Sequence, residues 1–227
     1  MTLHVSLDLE TWGTEPGDDL RSIGACTFNP ATGAIGSSHF YIATDSGHEG
    51  WHKQRSKLPH YVAGQGWRKY PLRRDPRTVE WWEGQSEEAQ AAFADPVDLR
   101  EALERFGDWL YDLSGTTATS IKNATENALA VRIWSHGAAF DPPILAAAFK
   151  AAGLPVPWHY RAPRDTRTIF DIAHVGDHSA WLEKHPGPLG IVHHALDDAI
   201  CQANAICAAY AKINRWQRAC ESGDLNS

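Results

Sequence analysis

The sequence predicts a single α/β domain built on a central mixed β-sheet flanked by α-helices. Three observations predict it. The first 44 residues hold three apolar or alternating runs separated by turn chemistry, the pattern of an antiparallel meander. Further along, an apolar β-prone run passes through a glycine turn into a helix start, the order in which parallel strands join such a sheet. Two amphipathic stretches at helical spacing supply the covering layers.

His4 to Thr11 reads as a short buried strand: Val5 and Leu7 alternate with Ser6 before Asp8 and Glu10. Trp12 to Asp19 is a Gly/Pro/acid turn, Ile23 to Phe28 a second strand, Asn29 to Gly33 a hairpin turn, and Ser38 to Thr44 a third strand. From Asp45 to Asp75 glycines and prolines break any period, while His48, Trp51, His52, His60, Trp67 and the basic cluster Arg68, Lys69, Arg73 and Arg74 decorate it. Loops of that length in compact domains are more often functional than incidental. Pro76 to Phe93 is helical in two pieces, the second capped by Ser86. Leu99, Leu103, Phe106, Leu110 and Leu113 recur at helical spacing and stop near Gly115. Leu129 to Trp134 is the next strand. It leads through Ser135-His136-Gly137 to Phe140-Asp141, where Pro142 and Pro143 suit a first helical turn and Ile144 to Ala152 continue it. Pro155 to Tyr160 reads as a short strand, Thr166 to His174 as a short helix, and Gly176 to Gly190 as a loop. The last helix runs from Ala195 to about Lys212, leaving a domain of residues 1–213 and a tail of 214–227 that reads as a loosely held helix or disorder.

A chain of 227 residues suits one core without staples. No run is long and apolar enough for a membrane span and there is no basic-then-apolar leader, so the expected location is the cytoplasm. Cys26, Cys201, Cys207 and Cys220 lack paired spacing and read as free thiols. The formal net charge of -7 excludes a protein that grips nucleic acid by a broad cationic surface. It does not exclude a nucleic-acid enzyme, because carboxylates that hold metal ions become attractive to phosphate. Some of the ten tryptophans fall in polar segments, where base stacking competes with core filling.

Asp8 and Glu10, at spacing two on a strand, point to one face. Like charges that close are tolerated in a buried place when a divalent cation lies beside them; a solvated strand end is the plainer alternative. Two further acids stand out by context, Asp141 after a strand and glycine turn and Asp198 near the start of the last helix, with His193 shortly before it.

Asp8-Leu9-Glu10-Thr11, then Phe140-Asp141, then His193-x4-Asp198 with Ala195 and Ala199 between and after, resemble the three exonuclease motifs of the DEDD (DnaQ-like) 3′-to-5′ exonuclease superfamily, histidine branch. The resemblance spans Leu3 to Tyr210. Thr78-Val79-Glu80-Trp81-Trp82 with Gln85-Ser86, and Arg164-Asp165-Thr166-Arg167-Thr168, further resemble the subgroup of phage-type exonucleases and a mycobacterial-type exoribonuclease. The resemblance implies a ribonuclease-H-like fold and two Mg²⁺ or Mn²⁺ ions held by Asp8, Glu10, Asp141 and Asp198, with Asp8 bridging. It also implies a general base at His193, a single-stranded 3′ end of RNA or DNA as substrate with a slight tilt to RNA, and the homodimer common in the family. Such ions, about 3.5 to 4 Å apart, ready a water and stabilise a leaving oxygen, and a histidine titrates near neutrality.

The alternatives differ residue by residue. His193 on its own would be a solvated loop histidine, and His194 competes with it, but the four-residue gap selects His193 and leaves Asp197 exposed. Thr11 and Trp12 follow the acids and are expected to meet the terminal nucleotide, with ordinary packing of Trp12 the rival. Phe140 lines the base pocket or fills the core. His136 joins the substrate-binding candidates, since Ser135-His136 stand where the subgroup often carries Gly-Asn. Asp165 is a helix cap or a partner of the site, and Trp81 and Trp82 read as packing ahead of base platforms. Arg68, Lys69, Arg73 and Arg74 are a solvated run or a guide for an incoming strand. For the whole chain, the rivals to an exonuclease are an inactive binding module and a phosphohydrolase acting on small nucleotides.

Overall fold

The computed structural model describes residues 2–47, 60–115 and 131–222. His48, Trp51 and His52 of the long loop, and Leu129 at the head of the fourth expected strand, lie outside them. In chain order the elements are β1 (Leu3–Thr11), β2 (Leu20–Asn29), β3 (Ala34–Asp45), β4 (His60–Val62), β5 (Gly66–Arg68), α1 (Pro76–Glu83), α2 (Glu87–Ala91) and β6 (Val97–Asp98). They continue as α3 (Leu99–Ser114), β7 (Val131–Ser135), α4 (Asp141–Ala151), β8 (Pro163–Asp165), α5 (Thr166–Ile172), α6 (His178–Glu183) and α7 (Ala195–Ser222).

Six strands form one sheet in the order β6-β3-β2-β1-β7-β8. The meander β1-β2-β3 is antiparallel, and β7, β8 and β6 join it in parallel. β1 is therefore central. Its alternation decides what each face buries: Val5, Leu7 and Leu9 enter a core with Leu103, Phe106, Ile144 and Phe149 of α3 and α4. Ser6, Asp8 and Glu10 alternate with them and turn toward α7. On that face Cys26, Phe28 and Trp134 meet Phe170, Ala203 and Ile206. Phe106, fully buried with Phe40 at 5.3 Å and Trp109 at 5.9 Å between ring centres, contributes about 2 to 3 kcal/mol by burial alone.

α7 begins directly on the sheet. Ala195, Ala199 and Ala203, one helical turn apart, are fully buried, and Gly24 of β2 has no side chain to hold them off: a Cβ there would lie 2.1 Å from the carbonyl carbon of Ala195. Gly24 is also the register partner of Asp8. The close approach thus sets the start of α7 beside the acidic end of β1.

Several boundaries differ from expectation. Pro155 to Tyr160 is not a strand, because Pro155 and Pro157 remove the donors a ladder needs; β8 forms three residues later, where Pro163, Arg164 and Asp165 pair with Ile133, Trp134 and Ser135. The expected loop 176–190 contains α6, capped by Asp177, whose side chain accepts the Ala180 N–H at 2.8 Å. α7 continues past Lys212 to Ser222 as a largely exposed helix. Three members of the basic cluster are ion-paired: Arg73 with Asp18 at 2.9 Å, Arg74 with buried Asp19 at 3.0 Å, and Lys69 with Asp98. These pairs fasten the segment after the β4-β5 hairpin to the sheet. The four cysteines are free, and among the described residues no helix is long and apolar enough to cross a membrane.

Candidate active site

The four acids come from three elements that converge at one end of β1. β1 pairs with β7 only as far as Ser6, so the Leu9 N–H is open on that side, and Asp141 Oδ1 at the first residue of α4 accepts it at 3.2 Å. Asp8 Oδ1 accepts from Gln202 Nε2 at 2.7 Å. Asp198 Oδ2 accepts the backbone N–H of His193 at 3.0 Å. Glu10 is 7% exposed, and its Oε1 has no hydrogen-bond partner.

This is an electrostatically unfinished arrangement. Burial, reinforced by Asp141, Glu10 and Asp198, pushes the Asp8 carboxyl well above its ordinary range. Burial and the Asp198 charge push Glu10 up to about 8. Burial lifts Asp141 to about 7 and Asp198 to about 6. Buried carboxylates that repel one another and keep an unpartnered oxygen fit a hard divalent cation, whose preferred ligands are carboxylate oxygens. Glu10, Asp198 and His193 already offer ligand atoms within 4.8 Å of one another.

His193 is half-buried in a left-handed backbone conformation, φ 63°, with its imidazole held below the ordinary value by burial. Its ring lies edge-on to Trp81 at 4.8 Å and to Trp82 at 6.0 Å. Trp82 is fixed in turn, its indole N–H donating to the Thr11 carbonyl at 2.8 Å. His194 turns elsewhere, stacked on Tyr41 at 4.4 Å. Asp197 is a correction: it is 3% exposed, and its two oxygens accept the N–H groups of Leu189 at 2.7 Å and Ile191 at 3.0 Å. A buried carboxylate organises the loop that carries His193.

Two cavities flank the acids. One of about 660 Å³ is lined by Asp8, Asp141, Asp198, His193, His136 and Phe140. The other, about 570 Å³, is lined by Glu10, Thr11, Thr14, Arg77, Trp81 and Phe140. Phe140 belongs to both. Thr11 Oγ1 donates to the Gly13 carbonyl at 2.5 Å. His136 Nδ1 stands 2.8 Å from Thr166 Oγ1. Asp165 caps α5 by accepting the Arg167 N–H, and it also accepts the Ala138 N–H of the turn before Asp141, each at 2.8 Å. Trp12 lines neither cavity; it lies between the guanidinium groups of Arg21 and Arg74, each 4.2 Å from its ring centre.

Gln202 was not among the sequence-based candidates, although it follows Asp198 by one helical turn and so shares its face. The contact of Trp81 and Trp82 with His193 is likewise invisible in their helical spacing.

A mixed sheet of this order, with a carboxylate pair on its central strand and two more acids at the starts of covering helices, defines a ribonuclease-H-like nuclease domain. Residues 3–210 match the family model described as the 3′-5′ exoribonuclease Rv2179c-like domain, and the chain belongs to that family. No curated protein sequence matches it. Among solved structures, cell-death related nuclease 4 (CRN-4) is similar at 13% identity and a TM-score of 0.56, over 95% of this chain and 64% of that one. E. coli exonuclease I in complex with a dT13 oligonucleotide is similar at 12% identity and a TM-score of 0.54, over 96% of this chain and 43% of that one. The nuclease domain of 3′hExo, a DEDDh family member bound to rAMP, matches at 13% identity and a TM-score of 0.53, over 91% and 90%. The chain thus spans less than two thirds of the first two, and identities this low speak for the fold.

Proposed function

We propose that this protein is a metal-dependent 3′-to-5′ exonuclease that trims single-stranded 3′ ends, RNA in preference to DNA, and releases nucleoside 5′-monophosphates. The observation that carries the reading is the meeting of four carboxylates, lifted in pKa by burial, with an imidazole poised beside them. The family description favours RNA. Free thiols throughout suit a reducing cytoplasm.

Asp8, Glu10, Asp141 and Asp198 would hold two Mg²⁺ or Mn²⁺ ions. Bound there, the ions would stabilise the negative charge that builds on the phosphate and acidify a water. His193, neutral at pH 7, takes the proton of the attacking water as its oxygen bonds to phosphorus. The bond from phosphorus to the 3′ oxygen of the preceding nucleotide breaks, and that oxygen takes a proton from solvent. Asp198 and Asp197 aim the imidazole through the backbone of its loop, and Trp81 and Trp82 support the ring from one side. Thr11, Phe140 and His136 meet the last nucleotides in the two cavities, and Trp12 reaches Trp82, which lines one of them, through the Arg21 guanidinium stacked on both rings.

Digestion of 5′-labelled single-stranded RNA and DNA oligomers with Mg²⁺ or Mn²⁺ tests this. A ladder shortening from the 3′ end, faster on RNA and absent with Asp141→Ala, is the expected result. Wild-type protein that leaves both oligomers intact would overturn the proposal.

A further inference from the structure

One cationic feature lies outside the acid cluster. Tyr160-Arg161-Ala162-Pro163-Arg164-Asp165-Thr166-Arg167 places an arginine at every third position along β8 and its flanks, and β8 is the last strand of the sheet, with one side open. In register, Arg164 stands beside Trp134, two residues along β7 from Arg132, and Arg132 stands beside His4 on β1.

The row begins at the acid site. Arg167 Nη1 lies 2.8 Å from where a Cβ of Gly137 would be, and its charge opposes the upward shift of Asp141. It ends at Tyr160, 74% exposed, whose hydroxyl accepts from Arg161 Nε at 2.9 Å and whose ring lies 4.3 Å from that of His159. Asp165, the acid within the row, is engaged by the Ala138 and Arg167 backbone. Among the described residues no carboxylate forms a salt bridge with Arg161, Arg164 or Arg167. The mutual repulsion registers locally: burial and then the Arg132 and Arg164 charges lower the His4 imidazole.

Edge strands carry charge and proline to deter pairing with other chains, and Pro163 and Arg164 serve that purpose. Deterrence needs no cation on the inner strand β7, nor a continuation to the acids. In a chain of net charge -7 such a row has a use in binding phosphates, which arginine grips in a bidentate fork.

We infer that the row Arg167, Arg164, Arg161 and Arg132 is the track for the sugar-phosphate backbone of the single-stranded substrate on the 5′ side of the bond to be cut, with Tyr160 as a stacking face at its far end. The inference rests on the exonuclease reading. His4, level with Arg132, lies four strand residues from Asp8, ~13 Å at the usual rise. A dinucleotide at the acids does not reach the far end; an oligomer of about ten nucleotides does.

The test is fluorescence anisotropy of a 5′-labelled single-stranded RNA ten-mer in Ca²⁺ over a salt series, comparing wild type with Arg132→Ala, Arg161→Ala and Arg164→Ala combined. Loss of three phosphate contacts is expected to weaken binding at least ~10-fold and to reduce the slope of log Kd against log salt by about 2. Lysine at the same three positions should restore the salt slope, which reports charge, while recovering only part of the affinity, because an ammonium lacks the bidentate fork. Dinucleotide turnover by the alanine variant reports on the acid site. Unchanged ten-mer affinity and slope would mean that the row only guards the edge. Equal losses on dinucleotide and ten-mer would mean that the substitutions disturb the acid site, and would also overturn the track. Should wild type cleave nothing while ten-mer binding still drops in the variant, the exonuclease reading alone fails.

Discussion

Gly24 and Ala195 meet where the last helix touches the sheet, and a Cβ on Gly24 would stand 2.1 Å from the Ala195 carbonyl carbon. Because Gly24 is also the partner of Asp8 across β1 and β2, this one contact sets the distance between the carboxylates of β1 and Asp198 on α7. Gly24→Ala must push α7 outward. Overpacking of this kind costs roughly 3 kcal/mol, and the expected outcome is a lower urea midpoint together with weaker Mn²⁺ binding by calorimetry. A variant that kept wild-type Mn²⁺ affinity would show that the helix start does not position the metal ligands.

Asp8 and His193 carry different jobs and should separate cleanly. Asp8→Ala removes a carboxylate raised first by burial and then by Asp141, Glu10 and Asp198, and is expected to abolish both Mn²⁺ binding and turnover. His193→Ala should leave Mn²⁺ binding within a few-fold and slow turnover by about 10²- to 10⁴-fold, the range of a lost general base. Calorimetry beside single-turnover kinetics decides it; the opposite pattern would exchange the two roles.

Asp197 holds its loop by two charge-assisted hydrogen bonds, to Leu189 and Ile191. Asp197→Ala leaves both amides without that acceptor, at about 1.5 to 3 kcal/mol each. Amide hydrogen exchange at these two residues should accelerate, and kcat should fall at least ~10-fold as His193 loses its placement. Mn²⁺ affinity should hold, since Asp197 is turned to the loop. Unchanged exchange at Leu189 and Ile191 would refute the latch.

Much of this site was legible in the chain because it is written locally. The acids of β1 lie two residues apart on a strand, Asp141 follows a strand and a glycine turn, and His193 and Asp198 are five positions apart at a helix start. The meander and the α3 helix follow equally from short-range periodicity. What stayed hidden depends on contacts between distant segments. Nothing around Asp197 reveals that Leu189 and Ile191 will fold back onto it, so the acid beside Asp198 read as exposed. The two-proline stretch at 155–158 mimics a strand in composition while lacking the donors of one, and α6 is too short for its period to stand out. Trp12 read as a nucleotide contact because it follows the acids in sequence, yet the strand turns there and Arg21 and Arg74 take its ring.

Stability should depend on pH in a way that reports the metal site. Glu10 at about 8 and Asp141 at about 7 in the folded protein exceed the value near 4 of an unfolded carboxyl, and Asp8 is raised as well. A raised carboxyl stabilises the fold fully below its unfolded pKa, and that contribution is lost as pH rises through the folded one. The window from about pH 7 to 8.5 is where these acids dominate: the imidazoles of His4, His136, His193 and His194 are shifted downward, away from it, and the raised thiols of Cys26, Cys201 and Cys207 add to the same fall only toward its upper edge, where an unfolded thiol ionises. Each carboxyl still protonated loses about 1.4 kcal/mol per pH unit across the window. In EDTA the melting temperature should therefore fall by on the order of 5 °C between pH 7 and 8.5. Mn²⁺ competes with those protons for the same oxygens, so the stabilisation it gives should grow over the same interval. A melting temperature in EDTA that stayed level or rose from pH 7 to 8.5 would mean that Asp8, Glu10 and Asp141 are not held protonated in the metal-free fold.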